Sequence, residues 1–338
     1  MRQMKRRMTL WRHVRYAIET TMVKTAATVI PWLPRRAVCG IAWLLGTLAW
    51  LCDAGGRRIG MENLRVIFAD RFNTAERRRI IWGSYRVFTR TFLDLFWSSR
   101  LTPGNIHRYV TLEYDTPAAE EAMKANHFII ITAHYGAFET AGIAKAVLGS
   151  PGMTVAQDFR NPALTEIFRR LRSAGGRQSL IPREGAILRL LKWVKKGGSA
   201  AALVDLTVKP GQAAVPVKRF GLWTSGSLLQ GLLAERTGAP VLPLLATHMA
   251  GGRVHIRLMH PVLPGKDDTM ANLSQRCWDL FEPNVRDHPE QWMWMYRHWL
   301  YRPANSNPAS FPCYSRVLPA FDELLQQHGI QPPAAPPV

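Results

Sequence analysis

The segment Phe128-Ile129-Ile130-Ile131-Thr132-Ala133-His134-Tyr135-Gly136-Ala137-Phe138-Glu139 sets a histidine, a glycine and a carboxylate directly behind a short apolar run. Histidine is the side chain whose charge changes near neutral pH, and a neutral imidazole steadied by a carboxylate works as a general base. The apolar run reads as a buried strand and residues 138–148 as a helix. His134 then falls in the strand-to-helix turn, at the carboxyl end of a strand, where open α/β sheets bind their ligands. Five residues turn through ~500° in a continuous helix, so His134 and Glu139 would not share a face there. A turn opened at Gly136 lets Glu139 reach back to the imidazole, and a His134–Glu139 pair is the expectation. On spacing alone the competing reading is a histidine that is simply a satisfied polar residue beside a strand.

Other residues could serve the same chemistry. Between positions 158 and 196 stand Arg160, Arg169, Arg170, Arg172, Arg177, Arg183, Arg189, Lys192, Lys195 and Lys196, against Asp158, Glu166 and Glu184. Guanidinium forks suit phosphate oxygens, so the surplus suits an anionic substrate. Some of these residues must form an ordinary solvated helix face, but Arg160 lies in the loop Asp158-Phe159-Arg160-Asn161-Pro162, where a side chain can point into a site. Asp205, in Leu203-Val204-Asp205-Leu206-Thr207, ends an apolar strand in the same topological position as His134. An Asp there is as often a turn or cap residue. Arg219-Phe220-Gly221 and Thr224-Ser225-Gly226-Ser227 then lead into a helix, expected over 226–237, whose amino end could hold an anion. The aromatic run from Pro289 to Trp299 could stack bases, line an acyl-chain cleft or lie at a membrane interface. It is more than 90 residues from the basic cluster, which argues against nucleic acid.

The elements that must position these residues alternate. Strands are expected near 110–113, 128–132, 153–156, 178–181, 200–204, 240–246 and 253–259, with helices between most of them. The pattern predicts an α/β fold with a mostly parallel central sheet flanked by helices. A helix over 74–98 precedes it, capped by Asn73 or Thr74. The chain begins differently: Arg2, Lys5, Arg6, Arg7, Arg12 and Arg15 occur without an acid in the first fifteen residues, and residues 37–52 are an uncharged run containing Trp43 and Trp50. Sixteen residues fall short of the ~20 that span a bilayer, so spanning and interfacial arrangements both stay open. The division expected is 1–55 as basic amphipathic and apolar membrane-associating helices, 56–305 as the α/β domain, and 306–338 as a terminal helix with a disordered Pro-rich tail.

Composition limits the partners. The formal net charge of +20 calls for a polyanion or an anionic surface. Cys39, Cys52, Cys277 and Cys313 form neither a metal-ligand spacing nor a disulfide framework. No phosphate-binding or dinucleotide-binding glycine loop occurs, so neither metal nor cofactor is expected.

Taken in order, these segments resemble the bacterial lipid A biosynthesis acyltransferases, the late lauroyl/myristoyl transferases of the lysophospholipid acyltransferase superfamily. His134 to Glu139 resembles the family's H-x4-E box. Arg160 with Asn161-Pro162, then Arg170 and Arg172, resembles its second block, and Asp205 with Phe220-Gly221 and residues 224–234 its third. Pro289-Glu290-Gln291-Trp292-Met293-Trp294, with Arg297, Arg302 and Pro303, is the most specific match, and the resemblance covers roughly residues 8–303. Leu206 stands where the family usually has Gln after its Asp, and Tyr135, Ala137 and Phe138 depart from residues common inside the box.

The resemblance implies an acyl carrier protein thioester as donor and a hydroxyl of a lipid A precursor as acceptor, at the cytoplasmic side of the cell inner membrane. It implies His134 and Glu139 as catalytic residues, with Arg160, Arg170, Arg172 and Asp205 binding substrate. The alternatives are an acyltransferase for another glycolipid or lysophospholipid, and a non-catalytic protein that binds anionic membranes.

Overall fold

The computed structural model describes residues 10–69, 71–150 and 152–331. Arg2, Lys5, Arg6 and Arg7, and residues 332–338 of the Pro-rich tail, lie outside them. The chain opens with four helices: α1 (Leu10–Val29), α2 (Arg35–Cys52), α3 (Ala54–Ile67) and α4 (Thr74–Trp97). The last starts where the sequence requires it. Asn73 Oδ1 accepts from the amides of Ala75 and Glu76, and the Glu76 carboxylate accepts from the Asn73 amide, a reciprocal cap that satisfies the first free N–H groups.

Alternation follows: β1 (Val110–Tyr114), α5 (Pro117–Ala125), β2 (Ile129–Thr132), α6 (Phe138–Val147), β3 (Gly152–Val155), α7 (Pro162–Arg172), β4 (Gln178–Ile181), α8 (Ala186–Lys195) and β5 (Ala200–Leu203). Then come β6 (Ala214–Arg219), β7 (Leu222–Ser227), α9 (Leu229–Thr237), β8 (Val241–His248), β9 (Val254–Leu258) and α10 (Met270–Asp287). Seven strands form one sheet in the order β1-β9-β8-β2-β5-β3-β4. All neighbours are parallel except β8 and β9, so the expected α/β architecture with a mostly parallel sheet is what the chain adopts. β2 is central and apolar, with Ile129, Ile130 and Ile131 all buried, as strands covered on both faces must be.

One element differs from the sequence reading. Residues 214–227 form an antiparallel hairpin, β6 against β7, and the helix expected from 226 begins at Leu229. Phe220 and Gly221 at the turn both have positive φ, 50° and 84°, as a tight two-residue hairpin turn demands. The strand signal is hidden because the buried side chains of β7 are polar: Thr224 and Ser225 satisfy their hydroxyls on the carbonyls of His298 and Val208. The amino end of α9 is no vacant anion site either, since the Ser227 hydroxyl accepts from the Leu229 amide.

The first two helices keep an outward apolar face. In α2, Val38, Ala42 and Gly46 form a buried stripe at four-residue spacing, and α2 packs there on α4. Its other face exposes Ile41, Trp43, Leu44, Leu45, Leu48 and Leu51. α1 exposes Trp11 at 73% and Met22 at 67%, alongside Leu10, Val14 and Ile18. Helix α2 is 18 residues long with a mean hydropathy of 1.2.

Candidate active site

Register alone sets His134 level with Asp205. β2 and β5 are neighbours, Thr132 pairs with Leu203, and each chain runs two residues further to reach its functional side chain. His134 Nδ1 lies 2.8 Å from Asp205 Oδ1, and the His134 amide donates to Asp205 Oδ2 at 2.9 Å. Trp292 Nε1 donates to the same Oδ2 at 2.9 Å. Asp205 is fully buried. Burial would favour its neutral form, but the His134 charge and hydrogen bond, with His298 adding, hold it far below the usual carboxylate range. An ionised carboxylate can only accept, so Nδ1 carries the proton and Nε2 keeps its lone pair. The ring is 13% exposed, and among the described residues no side chain is bonded to Nε2. Phe138 meets the ring edge-on, with centroids 5.0 Å apart.

This corrects the expected pairing. Glu139 does not hold the imidazole; its carboxylate is engaged by Arg172, which donates Nε at 2.9 Å to one oxygen and Nη2 at 2.5 Å to the other. Glu139 sits one position inside α6 and points toward α7, where a guanidinium fork satisfies it better than one ring nitrogen could. It acts on His134 only through its charge. Asp205 is likewise corrected: expected among substrate-binding residues, it spends its carboxylate on His134 and Trp292 and is sealed from any substrate. Arg160 and Arg170 are exposed. Arg172 keeps Nη1 free of hydrogen bonds among the described residues.

Behind Asp205 stands a support that sequence reasoning missed. Arg219, fully buried on β6, donates Nη1 to the Asp205 carbonyl at 2.6 Å and Nη2 to the Val204 carbonyl at 2.8 Å. Burial pushes its pKa down to about 10, opposed by Asp205, so it stays cationic at neutral pH. Trp292 stacks on buried His298 at 3.9 Å between centroids, and His298 Nε2 faces the Met293 carbonyl at 2.9 Å. Burial lowers the His298 pKa to about 4, so that ring is neutral. The aromatic run therefore neither stacks bases nor lines a membrane face: Trp292, Trp294 and Trp299 are core residues, and Trp292 donates to the Asp205 carboxylate. A cavity of about 630 Å³ lined by Arg71, Lys218, Trp223, Glu282 and Arg286 includes neither His134 nor Asp205.

The turn itself depends on Gly136. Its φ is +53°, and a Cβ there would lie 2.0 Å from the Ala246 carbonyl oxygen, which accepts from the Ala137 amide at 2.7 Å. Gly136→Ala is expected to destabilise the fold by more than ~1 kcal/mol, visible as a lowered Tm in thermal unfolding. An unchanged Tm would mean the turn is not held as described.

The electrostatics set a pH dependence. Burial depresses the His134 pKa, but the Asp205 charge and hydrogen bond and the Glu139 charge outweigh it, and the net shift is upward from 6.5. A base must be unprotonated, so activity should rise with pH through a midpoint above 6.5 and fall below it. A pH profile of kcat/KM checks this; a midpoint below 6.5 would contradict it.

A mostly parallel sheet whose strand ends bring an imidazole against a buried carboxylate is the architecture of an α/β enzyme. The sequence model of the bacterial lipid A biosynthesis acyltransferases matches residues 4–301, and the chain belongs to that family. It is an acyltransferase of lipid A biosynthesis. No curated protein matches the chain.

Proposed function

We propose that this enzyme moves an acyl chain from an acyl carrier protein thioester to a hydroxyl of a lipid A precursor, with His134 as general base. The observation that carries the reading is the bond from His134 Nδ1 to ionised, buried Asp205, which leaves Nε2 as the acceptor. The acceptor hydroxyl gives its proton to Nε2 as its oxygen attacks the thioester carbonyl carbon. The C–S bond then breaks, and the leaving thiolate takes the proton back from Nε2. Transfer is direct, because the dyad carries no hydroxyl or thiol nucleophile among the described residues.

The Glu139–Arg172 pair flanks the base, and Arg172 Nη1 is available to an acceptor phosphate or to the developing oxyanion. Arg160 fits a second phosphate contact. Its carbonyl accepts from Tyr16 of α1 at 2.8 Å, and Asn161 donates to the Tyr16 carbonyl, so the loop bearing Arg160 is fastened to an apolar-faced helix. The exposed apolar faces of α1 and α2, with the excess of cationic residues, suit attachment to the anionic surface of the inner membrane from its cytoplasmic side. The same positive charge suits an acidic carrier protein.

Mass spectrometry of lipid A from cells with and without the protein tests the acceptor. The reading predicts the loss of one acyl unit, and an unchanged lipid A would overturn it. Purified protein offered carrier-bound and coenzyme-bound acyl groups tests the donor.

A further inference from the structure

The carbonyl of Gly136, in the middle of the His134–Glu139 turn, is met by a residue outside the box. Thr91 Oγ1 on α4 lies 2.5 Å from the Gly136 oxygen and 2.9 Å from the Val87 carbonyl. Thr91 is fully buried. Its single hydroxyl proton goes to the nearer oxygen, so the third neighbour, His248 Nε2 at 3.2 Å, is the donor to Thr91. His248 closes β8, the strand beside β2, and its Nδ1 faces Asp94 Oδ2 at 3.5 Å with no hydrogen-bond partner. Asp94 is buried and held by both prongs of Arg35, at 2.6 and 2.7 Å. Arg35 is the first residue of α2; its Nε donates to the Gly252 carbonyl at 2.6 Å, and its guanidinium lies over Trp97 at 4.7 Å. Asp94 and Thr91 lie about one turn apart on α4, so the helix that Arg35 of α2 grips at Asp94 also carries the hydroxyl that meets the turn bearing His134.

We propose that Thr91 is a positioning residue for the catalytic turn, and that the grip of Arg35 on Asp94, about one turn along α4 from Thr91, makes the placement of that turn depend on how helix α2 is seated. Beyond the His134–Asp205 bonds, the turn between β2 and α6 is held by backbone bonds, Gly136 N to the Gln291 carbonyl and Ala137 N to the Ala246 carbonyl. Thr91 supplies the side-chain bond to the Gly136 oxygen, and a buried hydroxyl between a carbonyl and a ring nitrogen has one arrangement that satisfies all three. A carboxylate gripped by a two-pronged guanidinium transmits displacement of α2 rather than absorbing it. An error of about 1 Å at a reacting group can cost ~10²-fold in rate, so small movements suffice. The inference rests on His134 being the base.

The test is steady-state acyl transfer by the full-length protein in detergent micelles, with an acyl carrier protein thioester and a lipid A precursor, for Thr91→Val, Thr91→Ser, Arg35→Lys, the Thr91→Val/Arg35→Lys double variant and His134→Ala. Thr91→Val is expected to lower kcat ~10-fold or more while KM for both substrates stays within about twofold, and Thr91→Ser to restore kcat. Arg35→Lys keeps the charge and loses the fork; it should lower kcat with KM unchanged, and the double variant should lose less than the product of the two single losses. Wild-type kcat in Thr91→Val, no recovery in Thr91→Ser, or independent effects of the two sites would overturn the inference. If Thr91→Val does not fold, Arg35→Lys against wild type decides, an unchanged kcat overturning the coupling. Loss of transfer in His134→Ala with full transfer in Thr91→Val would sink only this inference. Full transfer in both would sink the base assignment as well.

Discussion

Replacing His134 with alanine is expected to lower kcat by ~10²–10⁴-fold, the usual contribution of a positioned general base. The cause is specific. Among the described residues Nε2 is the unbonded ring nitrogen beside Asp205, and no neighbour is placed to take over. The fold should survive, because the His134 amide and Trp292 still donate to Asp205 Oδ2 after the ring is gone. KM should change little, since the ring acts on a proton in flight rather than on ground-state binding. Initial rates of acyl transfer, with circular dichroism to confirm folding, check the expectation. Full activity in a folded variant would remove the base from the account.

Asp205→Asn should be as damaging for a different reason, and it isolates the role of the dyad. Oδ2 accepts two hydrogen bonds, from the His134 amide and Trp292 Nε1, so the asparagine carbonyl oxygen must take that place. The amide nitrogen then faces His134 Nδ1 and donates to it, which drives the ring proton to Nε2. The imidazole keeps its position but presents a proton where a lone pair is needed. In a serine protease triad the same carboxylate-to-amide change costs ~10⁴-fold by this inversion of tautomer, and a loss of ~10²–10⁴-fold is expected here. Glu139→Gln, by contrast, leaves the His134–Asp205 bond intact and should lose less. Ranking the two variants by kcat in one assay decides which carboxylate is the partner.

Much of this was legible in the residues. The apolar run into His134 dictated a central buried strand, and the alternation of strands and helices dictated the sheet. The choice of partner was not legible, because Glu139 is near in sequence whereas Asp205 is near only through register. Two apolar strands, each ending two residues short of an ionisable group, carried the signal once β2 and β5 are known to be neighbours. The hairpin was hidden because the buried side chains of its second strand are hydroxyls satisfied on distant carbonyls. The aromatic run was misread for a related reason: composition tells that Trp292 is large and flat, but only packing tells that its indole N–H is aimed at a carboxylate. Arg219 gave no periodic signal, since a buried cation bonded to carbonyls looks in sequence like any surface arginine.

Nitrogen-15 NMR of the histidine rings at pH 8, with His134 assigned by comparison with His134→Gln, reads the dyad without any substrate. A protonated Nδ1 and an unprotonated Nε2 on His134 is the predicted result. A signal showing the proton on Nε2 would contradict it, for then no lone pair faces the acceptor.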